Sequence, residues 1–410
     1  MVYSHDMTPL LQRYVSEQIK KSLLADKSVL LLGPRQVGKS TLIREELVGA
    51  NNLITIFLQD PSVRLRYERD PGMLIRDVEG GGQKIIVLDE VQKVPELMDS
   101  VQYLIDEKHY QFILTGSSAR KLRRQNINLL PGRVMMSRMD PLLWGELGLL
   151  TESRLTDIQT VNINPSGDYG LEELMVYGSL PLMWQAKESE RQLVLSSYAT
   201  TYLEEEIRAE ALVRKLGIFS LFLQLVAQES GGAVNLTKLS EASGVSLPTV
   251  REYFQILKDT LILEELPIFT KKIRRHIVGG SKYYLFDVGV RNAILRAPLV
   301  PELLNVQKGI LFEHMVVLEL IRRSRLWVNQ SIKLYYWRTK TGLEVDLVLV
   351  VGGKIVPIEI KSGRDIKLGE LKGLMAFMEE YEVEKGYVVT QDLQPQRISD
   401  KIVALPWNYL

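Results

Sequence analysis

The sequence predicts an α/β protein of more than one domain, with a parallel sheet early in the chain and a second stranded region at its end. From SVLLLG (28–33) to FILTGSS (112–118), short β-rich apolar runs alternate with helical stretches such as VQYLIDEK (101–108), as in a sheet whose strands are joined by crossover helices. Past residue 140 the periodicity turns helical, in LEELMVYGSL (171–180), RQLVLSSYATTYLEEEIRAEALV (191–213) and FSLFLQLVAQES (219–230). The C-terminal part returns to strands in KLYYWRT (333–339), LEVDLVLVV (343–351), KIVPIEIK (354–361) and GYVVT (386–390), with one helix before them and another among them.

Length agrees with this organisation, because 410 residues make two or three domains at about 150 residues each. A hydrophobic fraction of 46% and a charged fraction of 25% are those of ordinary globular proteins, which argues against a disordered or fibrous class. Lys plus Arg number 51 against 50 Asp plus Glu, so the net charge of +1 excludes a general basic coat while permitting local patches. With no cysteine there is no disulfide framework, thiolate metal site or cysteine nucleophile. The N-terminal stretch lacks the layout of a signal peptide, and no apolar run reaches the roughly 18 residues of a membrane span. The expectation is a soluble, cytoplasmic protein with no membrane partner.

Leu10, Leu11, Val15, Ile19 and Leu23 recur at near-helical spacing, so a leading helix is expected to pack on the sheet that follows. The apolar strand VLLL then runs into GPRQVGKST, which is Gly33, Pro34, Arg35, Gln36, Val37, Gly38, Lys39, Ser40 and Thr41, and on into the helical TLIREEL. Strand, glycine loop and helix in this order form a phosphate cradle. The glycines permit a tight loop whose amides face phosphate oxygens, and the helix start adds positive partial charge. Lys39 reaches the outer phosphates and Ser40 can ligate Mg²⁺, with Thr41 a second hydroxyl. Downstream, KIIVLDE ends in Asp89 and Glu90 at the C-terminal end of a strand, where a doubly wound sheet binds its ligand. Asp89 would hold Mg²⁺ through water, and Glu90 would orient or deprotonate the attacking water, which points to ATP hydrolysis more than to nucleotide storage.

With GPRQVGKST, LDEVQ (88–92), LTGSS (114–118) and LPGR (130–133), the chain resembles the AAA-type P-loop ATPases. More narrowly, it resembles a large prokaryotic family that carries these motifs before a C-terminal domain of mostly unassigned function. The resemblance implies that Thr115 and Ser117 sense the γ-phosphate and that the active form is a homo-oligomer. It also makes Arg133 a candidate to reach phosphate, in its own or a neighbouring subunit; a structural ion pair is the alternative.

A helix-turn-helix is expected over 236–257, with Leu236, Leu239 and Ala242 on one face, Gly244 at the turn, Ser246 as N-cap, and Val250, Phe254 and Leu257 facing inward on the second helix. LILEELPIF (261–269) and KYYLFD (282–287) would form a wing around the basic stretch KKIRRHIVGG (271–280), and the family resemblance supports a winged helix here. The outward positions Thr249, Arg251, Glu252, Gln255 and Lys258 are not uniformly basic. Lys271, Lys272, Arg274 and Arg275 are either phosphate contacts or a solvated run, and RKLRR (120–124) is either a subunit contact or a DNA-facing loop.

In LEVDLVLVV the side chains of Glu344 and Asp346 share a face, as do those of Glu359 and Lys361 in PIEIK. If Gly352 and Gly353 close a hairpin, the two charged faces become neighbours. Glu313 falls in register with Ile310, Val317 and Leu320 on one helix stripe, and a carboxylate on an apolar stripe needs a partner. The element order and Asp346, Glu359 and Lys361 resemble the PD-(D/E)XK nucleases and their restriction-endonuclease-like fold. That resemblance implies that Asp346 and Glu359 hold Mg²⁺ or Mn²⁺ and Lys361 orients water, while Glu313 matches a helix carboxylate often beside them. A cross-strand salt bridge from Asp346 to Lys361 is the alternative. His5, His109, His276 and His314 show no metal-ligand spacing, and no serine hydrolase elbow occurs.

The expected domains are a P-loop AAA-type ATPase over 1–145, a helical lid over 146–230, a winged helix over 231–300 and a nuclease-like domain over 301–410. The expected function is ATP hydrolysis coupled to a C-terminal half acting on DNA. The alternative is an ATP-controlled switch or assembly protein whose nuclease-like domain is a non-catalytic recognition scaffold.

Overall fold

The computed structural model describes residues 11–47, 53–79, 85–118, 132–150, 170–202, 216–270, 280–326 and 332–410. The RKLRR run, residues 271–279 with their four basic side chains, His5 and His276 lie outside the described residues. The chain divides into two compact units, one running through Pro141 and including Gln255–Ile262, the other made of most of the remainder. Among the described residues no helix is long and apolar enough to cross a membrane.

The first unit begins with helix α1 (Tyr14–Leu24), which buries Val15 and Ile19, and strand β1 (Ser28–Leu32). Helix α2 (Lys39–Leu42), strand β2 (Ile54–Phe57), helices α3 (Pro61–Arg69) and α4 (Met73–Val78) and strand β3 (Ile85–Asp89) follow. Helix α5 (Leu97–Lys108) and strands β4 (Gln111–Gly116) and β5 (Val134–Arg138) complete it. The five strands form a parallel sheet in the order β2-β3-β4-β1-β5. A parallel sheet covered on both faces needs strands that are apolar throughout rather than alternating, and β1 is buried at every position. Leu97, Val101 and Leu104 of α5 recur one turn apart and join Leu30, Leu88, Phe112 and Leu114 in one core.

The second unit contains a six-stranded mixed sheet in the order β12-β13-β11-β10-β9-β8. Its strands are β8 (Ile332–Arg338), β9 (Glu344–Val351), β10 (Lys354–Ile360), β11 (Gly386–Thr390), β12 (Gln396–Arg397) and β13 (Ile402–Pro406). β9 and β10 pair antiparallel with Val351 opposite Lys354, and the two intervening glycines have φ of 55° and 84°. Two positive φ values in a two-residue hairpin loop match the right-handed twist of the strands, which is why glycine occupies both. The Lys372–Tyr381 helix packs Leu374 and Phe377 against Trp337, Val345 and Val388. Gly373 lies flush on the sheet there, since a Cβ would fall 1.9 Å from the carbonyl oxygen of Glu344.

Two helices, Leu236–Ser243 and Leu247–Asp259, flank Gly244, which caps the first at φ 65°. β6 (Leu263–Leu266) and β7 (Lys282–Leu285) then pair antiparallel. The inward face of the first helix differs from expectation by one position, because Ser243 is buried and Ala242 exposed. Ser243 is tolerated inside because its hydroxyl donates to the Leu239 carbonyl oxygen at 2.6 Å. In the Leu304–Ser324 helix, Val317 and Leu320 are buried as expected but Ile310 is 51% exposed. The apolar stripe therefore does not cover the whole helix.

Candidate functional site

In the first unit, β1, β3 and β4 deliver their C-terminal ends side by side, with Leu32 opposite Gly116 and Leu88 opposite Leu114. The loop 33–38 leaves β1 there. Gly33 has no room for a side chain, since a Cβ would meet the Met139 carbonyl oxygen at 2.3 Å, and Gly38 has φ 97°. Lys39 is buried, and its Nζ donates to the Gly33 and Pro34 carbonyl oxygens at 2.8 and 3.0 Å. The ammonium is thus folded back on its own loop, held by bonds that phosphate oxygens can replace. Val37 is buried, Arg35, Gln36 and Ser40 are half-buried, and Thr41 is exposed.

Ser40 Oγ donates to Asp89 Oδ2 at 3.0 Å, and Thr115 Oγ1 donates to Asp89 Oδ1 at 2.6 Å. Glu90 has a left-handed backbone, φ 61° and ψ 50°, and its amide donates to Thr115 Oγ1 at 3.0 Å. Strain in a non-glycine residue at a site of converging polar groups is a common mark of function. Gln92 Nε2 donates both to the Glu90 carboxylate and, at 3.1 Å, to Ser117 Oγ. The hydroxyl and carboxylate of Ser40 and Asp89 are hard oxygen donors suited to Mg²⁺, and Lys39 with the loop amides fits a triphosphate. Bound there, Mg²⁺·ATP would supply an electrophilic γ-phosphorus, with Lys39, Ser40 and Asp89 as the groups that would hold it.

Arg133 is not brought to this edge. It precedes β5, whose Val134 lies opposite Ser28 at the start of β1, and a five-residue strand spans about 13 Å. It forms an ion pair with Asp106 instead. Two further residues near the loop carry no sequence signature of their role. Gln92 is legible only as a letter of LDEVQ. Arg13, buried before α1, donates from Nη1 to the Val37 carbonyl oxygen at 2.7 Å and from Nη2 to that of Asp140 at 2.6 Å. Arg13→Ala is expected to loosen the loop and weaken ATP binding about tenfold, the equivalent of about 1.4 kcal/mol, in line with loss of charged hydrogen bonds. Equilibrium dialysis with ATP checks this, and an unchanged Kd would rule out the tie.

In the second unit the hairpin faces meet as the alternation requires. The β9–β10 ladder ends at Leu347 opposite Ile358, and beyond it the Asp346 carboxylate accepts from the Ile360 amide at 2.7 Å. Lys361 Nζ lies 2.8 Å from Glu359 Oε1. The alternative pairing of Asp346 with Lys361 is therefore not the one adopted. Glu313 accepts from Tyr284 Oη at 3.0 Å and from Lys282 Nζ at 3.1 Å, and Lys282 Nζ also lies 2.5 Å from Glu344 Oε1. Arg338 pairs with the other oxygen of Glu344 at 3.6 Å. Among the described residues no three His, Asp or Glu side chains stand in an arrangement that holds a metal. The expected ligands Glu313, Asp346 and Glu359 have directed oxygens at N–H and O–H groups of the chain instead.

Burial pushes the Asp346 carboxyl well above the usual range, helped by Glu313 and Glu359 and opposed by Lys282 and the Ile360 amide. Burial also raises Glu359, against the pull of Lys361. For Lys282, burial disfavours the charge, but Glu313, Asp346 and Glu344 together hold it above the ordinary lysine range. His314 is pushed down to about 3 by burial, although its Nε2 meets the Leu285 carbonyl oxygen at 2.8 Å. Because the folded pKa of Asp346 lies above its unfolded value, ionising it costs stability as pH rises from its unfolded pKa through the folded one. Asp346→Asn is therefore expected to match wild type at pH 3.5 and to exceed it at pH 8, each tenfold difference in proton affinity being worth about 1.4 kcal/mol. Urea melts at the two pH values test the sign; a variant less stable at pH 8 would refute it.

The fold and loop geometry define the class of the first unit, and comparison with known proteins agrees. Residues 25–148 match the family model described as an AAA domain, so this part is an AAA-type P-loop ATPase domain. Residues 169–299 and 308–410 match two models described as domains of unknown function, DUF8612 and DUF4143. Among curated proteins, uncharacterized proteins of Mycobacterium tuberculosis and Mycobacterium bovis are each 24% identical over 404 residues, covering 96% of this chain and 83% of theirs. An uncharacterized protein of Haemophilus influenzae is 23% identical over 316 residues, 72% of this chain and 74% of its own. Among solved structures, a Walker-type ATPase of Pyrococcus abyssi aligns over 70% of this chain and 99% of its own, with 16% identity and a TM-score of 0.47.

Proposed function

We propose that the protein is an ATP-hydrolysing AAA-type switch whose nucleotide state governs a C-terminal half that is nuclease-like in layout and works as a recognition scaffold. Hydrolysis rather than storage is supported by one observation above all. The Glu90 amide donates to Thr115, which together with Ser40 donates to Asp89, and the Glu90 carboxylate accepts from Gln92, which also donates to Ser117, so an acid able to orient water stands beside the phosphate cradle. Phosphate release is expected with Mg²⁺, and Lys39→Ala is expected to abolish ATP retention. Wild-type protein that neither retains nor cleaves ATP with Mg²⁺ or Mn²⁺ would reject the proposal. AAA-type sites are commonly completed between subunits, so a homo-oligomer belongs to this reading.

The scaffold role is favoured by the pairing of Lys282 with Glu313 and Glu344. The second reading is a metal-dependent DNA nuclease served by a winged helix within 231–300. Support for it lies in the approach of Asp346, Glu359 and Lys361 at the end of the β9–β10 ladder. Plasmid and linear DNA incubated with Mg²⁺ or Mn²⁺, with and without ATP, separate the two. The scaffold reading expects intact DNA; cutting that disappears in Asp346→Ala would establish the nuclease.

A further inference from the structure

The carboxylate cluster of the second unit already contains a cation. Glu313 from the Leu304–Ser324 helix and Glu344 from β9 meet the ammonium of Lys282, Glu359 from β10 meets that of Lys361, and Asp346 from β9 accepts from the Ile360 amide next to Lys361. Carboxylates held this close repel unless positive charge is placed among them. Lys361 directly follows β10 and pairs with Glu359. Lys282 is different in origin, because β7 carries it in from the β6–β7 pair, where it is fixed opposite Leu266 and bridged to Ala233.

Its side chain is 5% exposed, and its Nζ lies between Glu313 Oε1 and Glu344 Oε1 and 5.6 Å from the centre of the Tyr336 ring. A divalent ion would need several oxygens at about 2.0–2.6 Å, and those of Glu313 and Glu344 that would serve are turned to the ammonium. One oxygen is left over. Glu359 is 7% exposed, and its Oε2 is buried without a hydrogen-bond partner. An unmatched buried carboxylate oxygen beside Asp346 shows that the cluster keeps more acceptor capacity than Lys361 uses.

We propose that the ammonium of Lys282, held between Glu313 and Glu344, is the resident cation of this cluster and takes Glu313 from a divalent site it would share with Asp346 and Glu359, so that the wild-type site is closed to Mg²⁺ and Mn²⁺ and opens when Lys282 is removed. The inference rests on the scaffold reading of the C-terminal half and does not depend on ATP hydrolysis. Removing Lys282 deletes one positive charge and three donors, leaving an acidic pocket suited to a hard cation.

Full-length protein is titrated with Mn²⁺ in the absence of nucleotide, with free Mn²⁺ read by electron paramagnetic resonance and stability by thermal melting. Wild type and Asp346→Asn are expected to give the same Mn²⁺ isotherm. Lys282→Met is expected to gain one equivalent bound at least about tenfold more tightly than by wild type, with a melting temperature that falls in chelator and recovers with Mn²⁺. Asp346→Asn in that background is expected to abolish the gain. A wild-type site that takes up Mn²⁺ and loses it in Asp346→Asn overturns the proposal, as does a folded Lys282→Met that gains none. Should Lys282→Met unfold in chelator, recovery of its circular dichroism with Mn²⁺ supports the proposal and failure to recover overturns it.

Discussion

Glu90→Gln is expected to bind ATP with near wild-type affinity while releasing phosphate about 10²–10⁴-fold more slowly, the usual contribution of a positioned general base. The amide keeps the size of the carboxylate and can still meet Gln92, so the hydrogen-bonded set that includes Thr115 and Ser117 stays in place. What it loses is the ability to take a proton from water. A fall in turnover with an unchanged Kd separates this role from that of Lys39, whose loss acts on binding. Single-turnover phosphate release beside fluorescent-nucleotide binding provides both quantities. Equal turnover in Glu90→Gln and wild type would remove Glu90 from the reaction.

Arg323→Met is expected to cost about 3–5 kcal/mol of stability at pH 7, the penalty for leaving a buried charge without its partner. Glu319 and Arg323 are one helical turn apart and fully buried, with Arg323 Nε 2.7 Å from Glu319 Oε1. Glu319 also accepts from the Trp144 amide at 3.1 Å, while Arg323 Nη1 donates to the Leu410 carbonyl oxygen at 2.7 Å. Burial already raises the Glu319 pKa, and Arg323 is the first of the groups that oppose this. Without Arg323 the pKa rises further, so the deficit should shrink as pH falls and Glu319 takes a proton. Adding Glu319→Gln should recover part of the loss at pH 7. Urea unfolding at pH 7 and 5 is the measurement, and a loss under about 1 kcal/mol at pH 7 would mean that the pair is not needed.

The nucleotide loop is legible in the sequence because its chemistry is written in consecutive residues, 33–41, and because Asp89 and Glu90 end an apolar strand. The β9–β10 hairpin is legible for a similar reason, since period-two alternation and the pair Gly352-Gly353 fix both register and face. Lys282 is not legible. It meets Glu313 from 31 residues away, and in KYYL it reads as an ordinary strand lysine; only its shared parity with the buried Tyr284 hints that it points inward. Arg13 carries no motif because it serves backbone carbonyls, which any sequence provides. The Arg133 expectation comes from motif resemblance alone, and the parallel register of β1 and β5 sends that residue to the opposite edge of the sheet. Ser243 rather than Ala242 turns inward because positions three and four after Leu239 both lie near its face of the helix, and periodicity alone does not choose between them.

The order β2-β3-β4-β1-β5 has one mechanical outcome. Of the strand ends that gather around Asp89, those of β3 and β4 are neighbours in chain order, but β1 is inserted between β4 and β5, so no single stretch of backbone fastens all three together at that rim. A bound triphosphate would act as a rivet there, clamping the middle of the sheet and leaving β2 at the margin. Saturation at 100 times Kd adds about 2.7 kcal/mol, and amide exchange should slow in concert at the ends of β1, β3 and β4. Slowing confined to the loop 33–38 would show that the rivet does not reach the neighbouring strands.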